Sequence, residues 1–181
     1  MVRSKVTSQA GLERTEQLEL HQQAQLVKLL RRHLVGPHGQ EFFAIPNGHV
    51  RGQRQEIQAF QEGVLAGASD LIIARPPPLM PHAVGVILEM KRTAGKSNDV
   101  RAEQRKFLRM MAQFGHVPLV GYGAQDAVAL LCALGYFPEM VLIDAALPHL
   151  AKVKRIRALV ARQAPTTDFI READAALEEK A

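Results

Sequence analysis

The segment Val84–Lys91, with the sequence VGVILEMK, carries the strongest structural signal in the chain. It is apolar, rich in β-branched residues and too short for a buried helix, so it predicts a β-strand. Successive side chains of a strand point to opposite faces, so Ile87, Glu89 and Lys91 are expected on one face and residues 86, 88 and 90 on the other. A carboxylate and an ammonium at the end of such a strand predict either an ion pair or a functional site.

A second short apolar strand, at residues 67–74, precedes it and contains Asp70. If Asp70 and Glu89 lie at adjacent ends of paired strands, their carboxylates are placed to share a divalent cation such as Mg²⁺, which prefers oxygen ligands. The backbone carbonyl of Met90 offers a third protein oxygen. Lys91 is then placed to orient or deprotonate an attacking water, or to stabilise charge on a phosphate, as phosphodiester hydrolysis requires. Two acids and a lysine have low specificity by themselves, because acidic strand ends are common.

The order of predicted elements is helix, strand, helix, strand, strand, helix, strand, helix, which indicates an α/β fold with a mixed sheet flanked by helices. Helices are predicted at residues 13–34, 53–65, 99–114 and 125–134, and the remaining strands at 41–45 and 117–121. Ser97 or Asn98 is expected to cap the third helix. The proline-rich residues 75–81 cannot continue a sheet and predict a connection between neighbouring antiparallel strands.

Three regions are expected along the chain. Residues 1–12 are polar and unpatterned and predict a disordered arm. Residues 13–137 form the predicted core domain. Residues 138–181 form a predicted helical extension with a basic amphipathic helix at 148–163 and a more acidic one at 167–180. Packing of these helices on the core of the same chain is the main expectation. A dimer interface or a wider DNA surface are the alternatives.

Gln104 and a group of basic residues surround the predicted strand ends. Gln104 is in line with the apolar residues 107, 108 and 111, so it is expected on the buried side of its helix. A glutamine that borders such a stripe is also ordinary. The basic residues that are placed to hold phosphates without reading bases are Arg51, Arg54, Arg92, Lys96, Arg101 and Arg105. A solvated basic surface is the alternative for each of them.

The composition points weakly to a polyanion partner, since the formal net charge of the 181 residues is +5. No apolar run approaches the roughly 18 residues that a membrane span needs. The N-terminal residues lack the apolar region of a secretory signal. Cys132 is alone in an apolar run, which excludes an internal disulfide, predicts a buried thiol and suits a reducing, cytoplasmic compartment. The absence of tryptophan, with only two tyrosines, disfavours a single-strand stacking platform and favours a duplex or junction reader.

Four motifs occur together in the order and spacing of a known family. They are Ala44-Ile45-Pro46-Asn47-Gly48, Gly63-x-x-x-Gly67-x-x-Asp70-Leu71, Leu88-Glu89-Met90-Lys91 and Gln104. In this pattern the chain resembles the VRR-NUC domain, a branch of the PD-(D/E)xK nuclease superfamily, from about residue 20 to residue 136. Each motif is weak alone, and the joint pattern is quite specific.

The resemblance implies a restriction-endonuclease-like αβββαβ core and Mg²⁺- or Mn²⁺-dependent cleavage of DNA. It implies that Asp70 and Glu89 are metal-binding acids, that Lys91 is the catalytic lysine and that Gln104 is the helix glutamine beside the site. Stand-alone members, often bacterial or phage-encoded and intracellular, are similar to homodimeric structure-specific endonucleases that act on branched DNA such as four-way junctions. Other members are fused into DNA-repair nucleases, so DNA repair or recombination is the expected process.

Two positions depart from the family pattern. Ser69 stands where the family has a proline before the first acid, a change that we expect the turn to tolerate. The family also tends to carry a glutamate in the first helix that supports the metal site. Here Glu19 is the nearest acid, with Gln22 or Gln23 as possible substitutes through water-mediated contacts. This departure leaves open a second hypothesis, a weakly active or inactive nuclease fold that serves as a DNA-binding or assembly module. Action on RNA is a third.

Overall fold

Four strands form a mixed sheet with helices on both of its faces. The computed structural model describes residues 9–36, 39–45, 65, 67–92, 100–137 and 150–170. The helices in this part of the chain are α1 (Gln9–His33), α2 (Ala102–Gln113), α3 (Ala124–Ala133) and α4 (Leu150–Ala161). The strands are β1 (Val35–Gly36), β2 (Gly39–Gln40), β3 (Phe42–Ala44), β4 (Leu71–Ile73), β5 (Gly85–Lys91) and β6 (His116–Tyr122).

The sheet has the strand order β3-β4-β5-β6. The first two pairings are antiparallel, and β5 pairs with β6 in parallel. Because parallel neighbours need a crossover, the chain passes through α2 between β5 and β6. Residues 75–81 connect the antiparallel neighbours β4 and β5, as the sequence predicts. With α1 in front, the order α1, β3, β4, β5, α2, β6 gives the expected αβββαβ core.

The two faces of β5 carry different side chains, as the alternation in its sequence predicts. Val86, Leu88 and Met90 belong to a large buried cluster that includes residues of α1, α3 and α4. Ile87 belongs to a smaller cluster on the α2 side of the sheet, with Phe107 among its members. Every residue of β5 is buried on these two faces. Glu89 and Lys91 therefore lie on the α2 side of a buried strand.

Helix α1 confirms the predicted apolar stripe and begins earlier than expected. Leu26, Leu30 and Leu34 are fully buried at helical spacing in the large cluster. The helix begins at Gln9, inside the segment that the sequence predicts as an arm. The short hairpin β1–β2, which follows α1, was missed because its two-residue strands carry no hydrophobic alternation.

Helix α2 begins later than predicted and has a different cap. It starts at Ala102 rather than near Asp99, and the backbone N–H of Arg101 is bound by the side chain of Gln104. The prediction of Ser97 or Asn98 as the cap is therefore wrong, although these two residues themselves lie outside the described part of the chain. A glutamine at the third helical position that reaches back to the preceding N–H satisfies one of the free donors of the first turn.

Helix α4 packs on the core of the same chain. Val153, Ile156, Leu159 and Val160 join the large cluster, which confirms the main expectation for this helix. Lys152 belongs to the basic amphipathic helix predicted at residues 148–163, and the structure buries it to 9% exposure, where the charged face of such a helix is expected in solvent.

Some expectations fall outside the described residues. These are the turn at residues 46–48, the helix at 53–65 and most of the acidic helix at 167–180, of which residues 168–170 are helical. Within the described residues, none of the helices is both long enough and apolar enough to cross a membrane.

Candidate active site

Asp70 and Glu89 face each other across the pairing of β4 and β5. The ladder pairs Leu71 with Leu88, and the next residues outward are Asp70 and Glu89. The carbonyl of Asp70 still accepts the N–H of Ile45 at 2.9 Å, so the strand geometry continues through this position. Directly opposed residues of antiparallel strands have Cβ atoms about 5 Å apart and point to the same face. The two carboxylates that the sequence singled out therefore share one end and one face of the sheet.

Glu89 is fully buried and receives two donors from the other candidate residues. The ammonium Nζ of Lys91 lies 2.6 Å from Oε1 of Glu89, and the side-chain Nε2 of Gln104 donates to the same oxygen. Lys91 and Gln104 are themselves only 6% and 7% exposed. A buried carboxylate is very unfavourable without charge and hydrogen-bond partners, so this contact set is what allows Glu89 to remain inside the fold.

The orientation of Gln104 is fixed from both ends of its amide. Oε1 of Gln104 accepts the backbone N–H of Arg101 at 2.9 Å, which leaves Nε2 to face Glu89. A backbone N–H can only donate, so this contact assigns the amide oxygen and nitrogen without ambiguity. The helix start and the carboxylate are thus coupled through one side chain.

Asp70 is held against the end of β5. Its Oδ2 accepts the backbone N–H of Met90 at 2.7 Å, and the residue is half-buried. In a β-strand the backbone N–H and C=O of one residue point towards the same neighbouring strand, because the two residues of a hydrogen-bonded pair exchange two N–H···O=C bonds. The carbonyl of Met90 is therefore directed towards β4 and Asp70, where the sequence analysis expects a third oxygen.

Gly67, a glycine of the motif before Asp70, allows the loop to approach α2 closely. Its φ of +81° lies in the left-handed region, and an added Cβ would be 2.6 Å from Cβ of Glu103 and 2.9 Å from the backbone nitrogen of Gln104. Only glycine avoids both the backbone strain and the steric clash. Ser69, the departure from the family proline, is fully buried next to this loop.

The predicted phosphate-binding residues are described only in part. Arg92 follows Lys91 directly and is half-buried. Arg101 is exposed at the start of α2, and Arg105 lies one turn further on, with its Nε donating to the carbonyl of Val100 at 3.2 Å. Arg101 and Arg105 therefore lie at the start of the helix that carries Gln104, and Arg92 follows the strand that carries Glu89 and Lys91. Arg51, Arg54 and Lys96 lie outside the described residues, so their place relative to the site stays a prediction.

The first helix was expected to supply an acidic side chain to the metal site. Glu19 lies within α1, and its side chain is outside the described part of the chain. Gln22 and Gln23 are half-buried one turn later on the same helix. The support of the metal site by this helix stays a prediction.

A second buried ion pair, in addition to that of Lys91 with Glu89, was not predicted from the sequence. Lys152 of α4 places Nζ 2.9 Å from Oδ2 of Asp126, and the same oxygen accepts the backbone N–H of Tyr122 at 2.9 Å. Asp126 is fully buried near the start of α3. A signal was present, because Lys152 is in helical register with the apolar Ile156 and Leu159, and Asp126 interrupts an otherwise apolar helix.

The donor set around Asp70 suits a hard divalent cation. Two carboxylates and a backbone carbonyl at one strand end are oxygen ligands of the kind that Mg²⁺ and Mn²⁺ accept, and Mg²⁺ commonly keeps several waters when proteins bind it. No cluster of three or more histidine, cysteine or acidic side chains occurs among the residues that the structure describes. Oxygen donors suit a water-rich Mg²⁺ or Mn²⁺ site, whereas closed zinc sites are built mainly from cysteine and histidine.

The chain was compared with protein families, curated proteins and solved structures. No family model matches the chain, and no curated protein matches it. Among solved structures, the chain is similar to one described as a "VRR_NUC domain protein", with 20% identity and a TM-score of 0.47 over 65% of this chain and 89% of that chain. This description names the family whose motifs the sequence resembles.

Proposed function

We propose that this protein is a metal-dependent DNA endonuclease that hydrolyses phosphodiester bonds at the site formed by Asp70, Glu89, Lys91 and Gln104. One observation carries the proposal: two carboxylates oppose each other at a strand end, and a lysine and a glutamine both contact the buried one. An ion pair that only stabilised the sheet would not need a second acid across the ladder or an amide fixed from a helix start.

The proposed cation is Mg²⁺ or Mn²⁺, held by Asp70, Glu89 and the carbonyl of Met90. When bound, such a cation lowers the pKa of a water and neutralises charge on a phosphate. The hydrogen bond from the N–H of Met90 to Asp70 keeps that carboxylate close to the carbonyl of the same residue. Glu19, or Gln22 or Gln23 in its place, is proposed to contact the waters around the ion.

Lys91 is the proposed catalytic cation of the protein itself. Its ammonium lies 2.6 Å from Glu89 and is almost fully buried, so its position is set by the fold and not by solvent. In the proposed reaction Lys91 orients the attacking water and stabilises the negative charge that builds up on the phosphate oxygens. The water oxygen forms the new bond to phosphorus and loses a proton to solvent. The bond from phosphorus to the ester oxygen of the DNA backbone breaks on the opposite side, and this oxygen takes up a proton from solvent. A positive charge that is already in place where negative charge develops in the transition state is a large source of rate enhancement.

Gln104 is proposed to hold Glu89 in the orientation that the reaction needs. Its amide is fixed by the N–H of Arg101, so the contact with Glu89 does not depend on substrate. Groups held before substrate binding need no reorganisation during the reaction.

DNA is proposed to lie across the start of α2 and the end of β5. Arg92, at the end of the strand that carries Glu89, and Arg101 and Arg105, at the start of the helix that carries Gln104, are proposed to hold backbone phosphates. Arg51, Arg54 and Lys96 are proposed as further contacts. Contacts of this kind carry little base specificity, which suits recognition of DNA by shape. A preference for branched DNA such as four-way junctions, and a homodimer whose two-fold symmetry matches such a junction, belong to the same proposal.

The proposal is tested with a four-way DNA junction and a linear duplex of the same sequence. Cleavage is expected with Mg²⁺ or Mn²⁺ and is expected to stop when EDTA removes the metal. Asp70→Ala and Lys91→Ala are each expected to lower the single-turnover cleavage rate at least about hundredfold while DNA binding survives. Lys28→Ala is the matched control, since Lys28 is an exposed lysine on α1.

Each outcome decides between the hypotheses. Cleavage by Asp70→Ala or Lys91→Ala at the wild-type rate would remove the assignment of the site. Metal-independent binding of junctions without cleavage would favour the assembly module. Faster cleavage of an RNA junction than of DNA would change the substrate, and sedimentation of the free protein and of its junction complex decides the oligomeric state.

A further inference from the structure

Helix α4 reaches the edge of the sheet next to the active site through Lys152. The ammonium of Lys152 donates to the carbonyl of Val120 at 2.6 Å and to Oδ2 of Asp126 at 2.9 Å. It also lies 5.4 Å from the centre of the Tyr122 ring. Lys152 belongs to a segment outside the family resemblance, which ends near residue 136.

The ion pair closes the open edge of β6. Among the strands in the described part of the chain, β6 lies at the edge of the sheet, with β5 on its other side. The carbonyl of Val120 binds Lys152 and the N–H of Tyr122 binds Asp126. Unpaired backbone groups at such an edge either bind water or attract another strand. Two side chains of opposite charge take the place of that strand here.

The same two backbone positions are the direct neighbours of the candidate catalytic residues. In the parallel ladder Val120 pairs with Glu89 and Tyr122 pairs with Lys91. The N–H of Gly123, which follows Tyr122, donates to the carbonyl of Lys91 at 2.7 Å. The end of β5 is therefore held from the β6 side by a turn that Asp126 and Lys152 fix in place.

We propose that Lys152 is a positioning residue for the cleavage reaction. Through Asp126 and the turn at residues 122–123 it keeps the backbone of Lys91 in place, so α4 is part of the catalytic unit and not only a stabilising appendage. This inference rests on the proposed function, because Lys91 is the residue that it positions. Displacement of a reacting group by about 1 Å is enough to lower a rate up to about hundredfold, so a distant lysine can matter through its effect on geometry.

The test compares Lys152→Met with Val153→Ala in the full chain. Val153 is the neighbouring residue on α4 and is buried in the core, so its truncation weakens the packing of the helix and leaves the ion pair intact. Lys152→Met is expected to lower kcat at least about tenfold with KM for DNA within about twofold. Val153→Ala is expected to lower the melting temperature and to leave kcat unchanged.

Two further variants keep the test decisive. If Lys152→Met does not fold, the double variant Asp126→Leu with Lys152→Met replaces the buried pair by apolar groups, a change that such sites often tolerate. The double variant is expected to fold and to show the same loss of kcat. Lys152→Arg keeps the positive charge and is expected to recover part of the lost rate.

Hydrogen exchange gives a readout that does not depend on activity. The backbone amides of peptides covering residues 120–124 are expected to exchange faster in Lys152→Met than in Val153→Ala. The two variants are compared under conditions in which their free energies of unfolding are equal. If the wild-type protein cleaves no DNA, the proposed function fails while the exchange result still decides whether Lys152 holds this turn. If the wild-type protein cleaves DNA, and a folded Lys152 variant keeps the wild-type kcat or loses only what Val153→Ala loses, the positioning role is overturned.

Discussion

The side-chain amide of Gln104 joins the start of α2 to the carboxylate of Glu89. Its oxygen accepts the N–H of Arg101 and its nitrogen donates to Glu89, so one residue caps a helix and supports the candidate site. Both partners lie in buried or partly buried surroundings, where an unsatisfied polar group is costly.

Replacing Gln104 by methionine is expected to damage both activity and stability. Methionine has a similar volume but cannot donate to Glu89, so the free energy of unfolding should fall by about 1–3 kcal/mol. The cleavage rate should fall at least about tenfold, because the orientation of Glu89 is no longer fixed. Urea denaturation and single-turnover cleavage measure the two effects. Glu103→Gln, at the exposed neighbouring position, is the control. A Gln104→Met variant with wild-type rate and stability would contradict the role given to this amide.

Replacing Gly67 by alanine is expected to disturb the site through the backbone. An added Cβ would clash with the first turn of α2, and the φ of +81° adds strain for any other residue. The free energy of unfolding should fall by at least about 2 kcal/mol, with a loss of cleavage because Gln104 lies in the displaced turn.

Gly39→Ala is the matched control for Gly67→Ala. Gly39 also has a positive φ, of +105°, and an added Cβ there meets no atom within 4 Å. Its replacement should cost about 1 kcal/mol from backbone strain alone and should leave the cleavage rate unchanged. Equal effects of the two substitutions would show that the close approach of Gly67 to α2 is unimportant.

The thiol of Cys132 is expected to react only after unfolding. Burial raises its pKa from 9.0 to about 11, so at pH 8 about one molecule in a thousand carries the reactive thiolate. Because the pKa is higher in the folded state, the stability that this group contributes is fully present below pH 9.0 and is lost as the pH rises through about 11. Reaction with a disulfide reagent at pH 8, in native buffer and in guanidinium chloride, measures the difference. This is the one cysteine of the chain, so no other thiol contributes to the signal. Equal rates in the two conditions would mean that the side chain is accessible.

Local patterns in the sequence determine most of the described fold. The apolar alternation of β5 predicted which of its side chains share a face, and the cluster memberships of Ile87 and Leu88 agree with it. The stripe of α1 and the position of the connection between β4 and β5 were also correct. Boundaries were less accurate, as at the start of α2, because the residue that caps this helix lies inside it and reaches back from the third position.

The sequence by itself determined which residues are chemically unusual for their surroundings. They are an acid and a lysine on an apolar strand, a second acid just before the neighbouring strand, and a glutamine on the apolar face of a helix. Only the tertiary structure decided that Asp70 is held by the N–H of Met90, that Gln104 contacts Glu89 and that Lys152 closes the edge of β6. The reason is physical. Periodicity fixes the face on which a side chain lies, whereas the partner of a buried charge depends on which distant segments the packed core brings within hydrogen-bond distance.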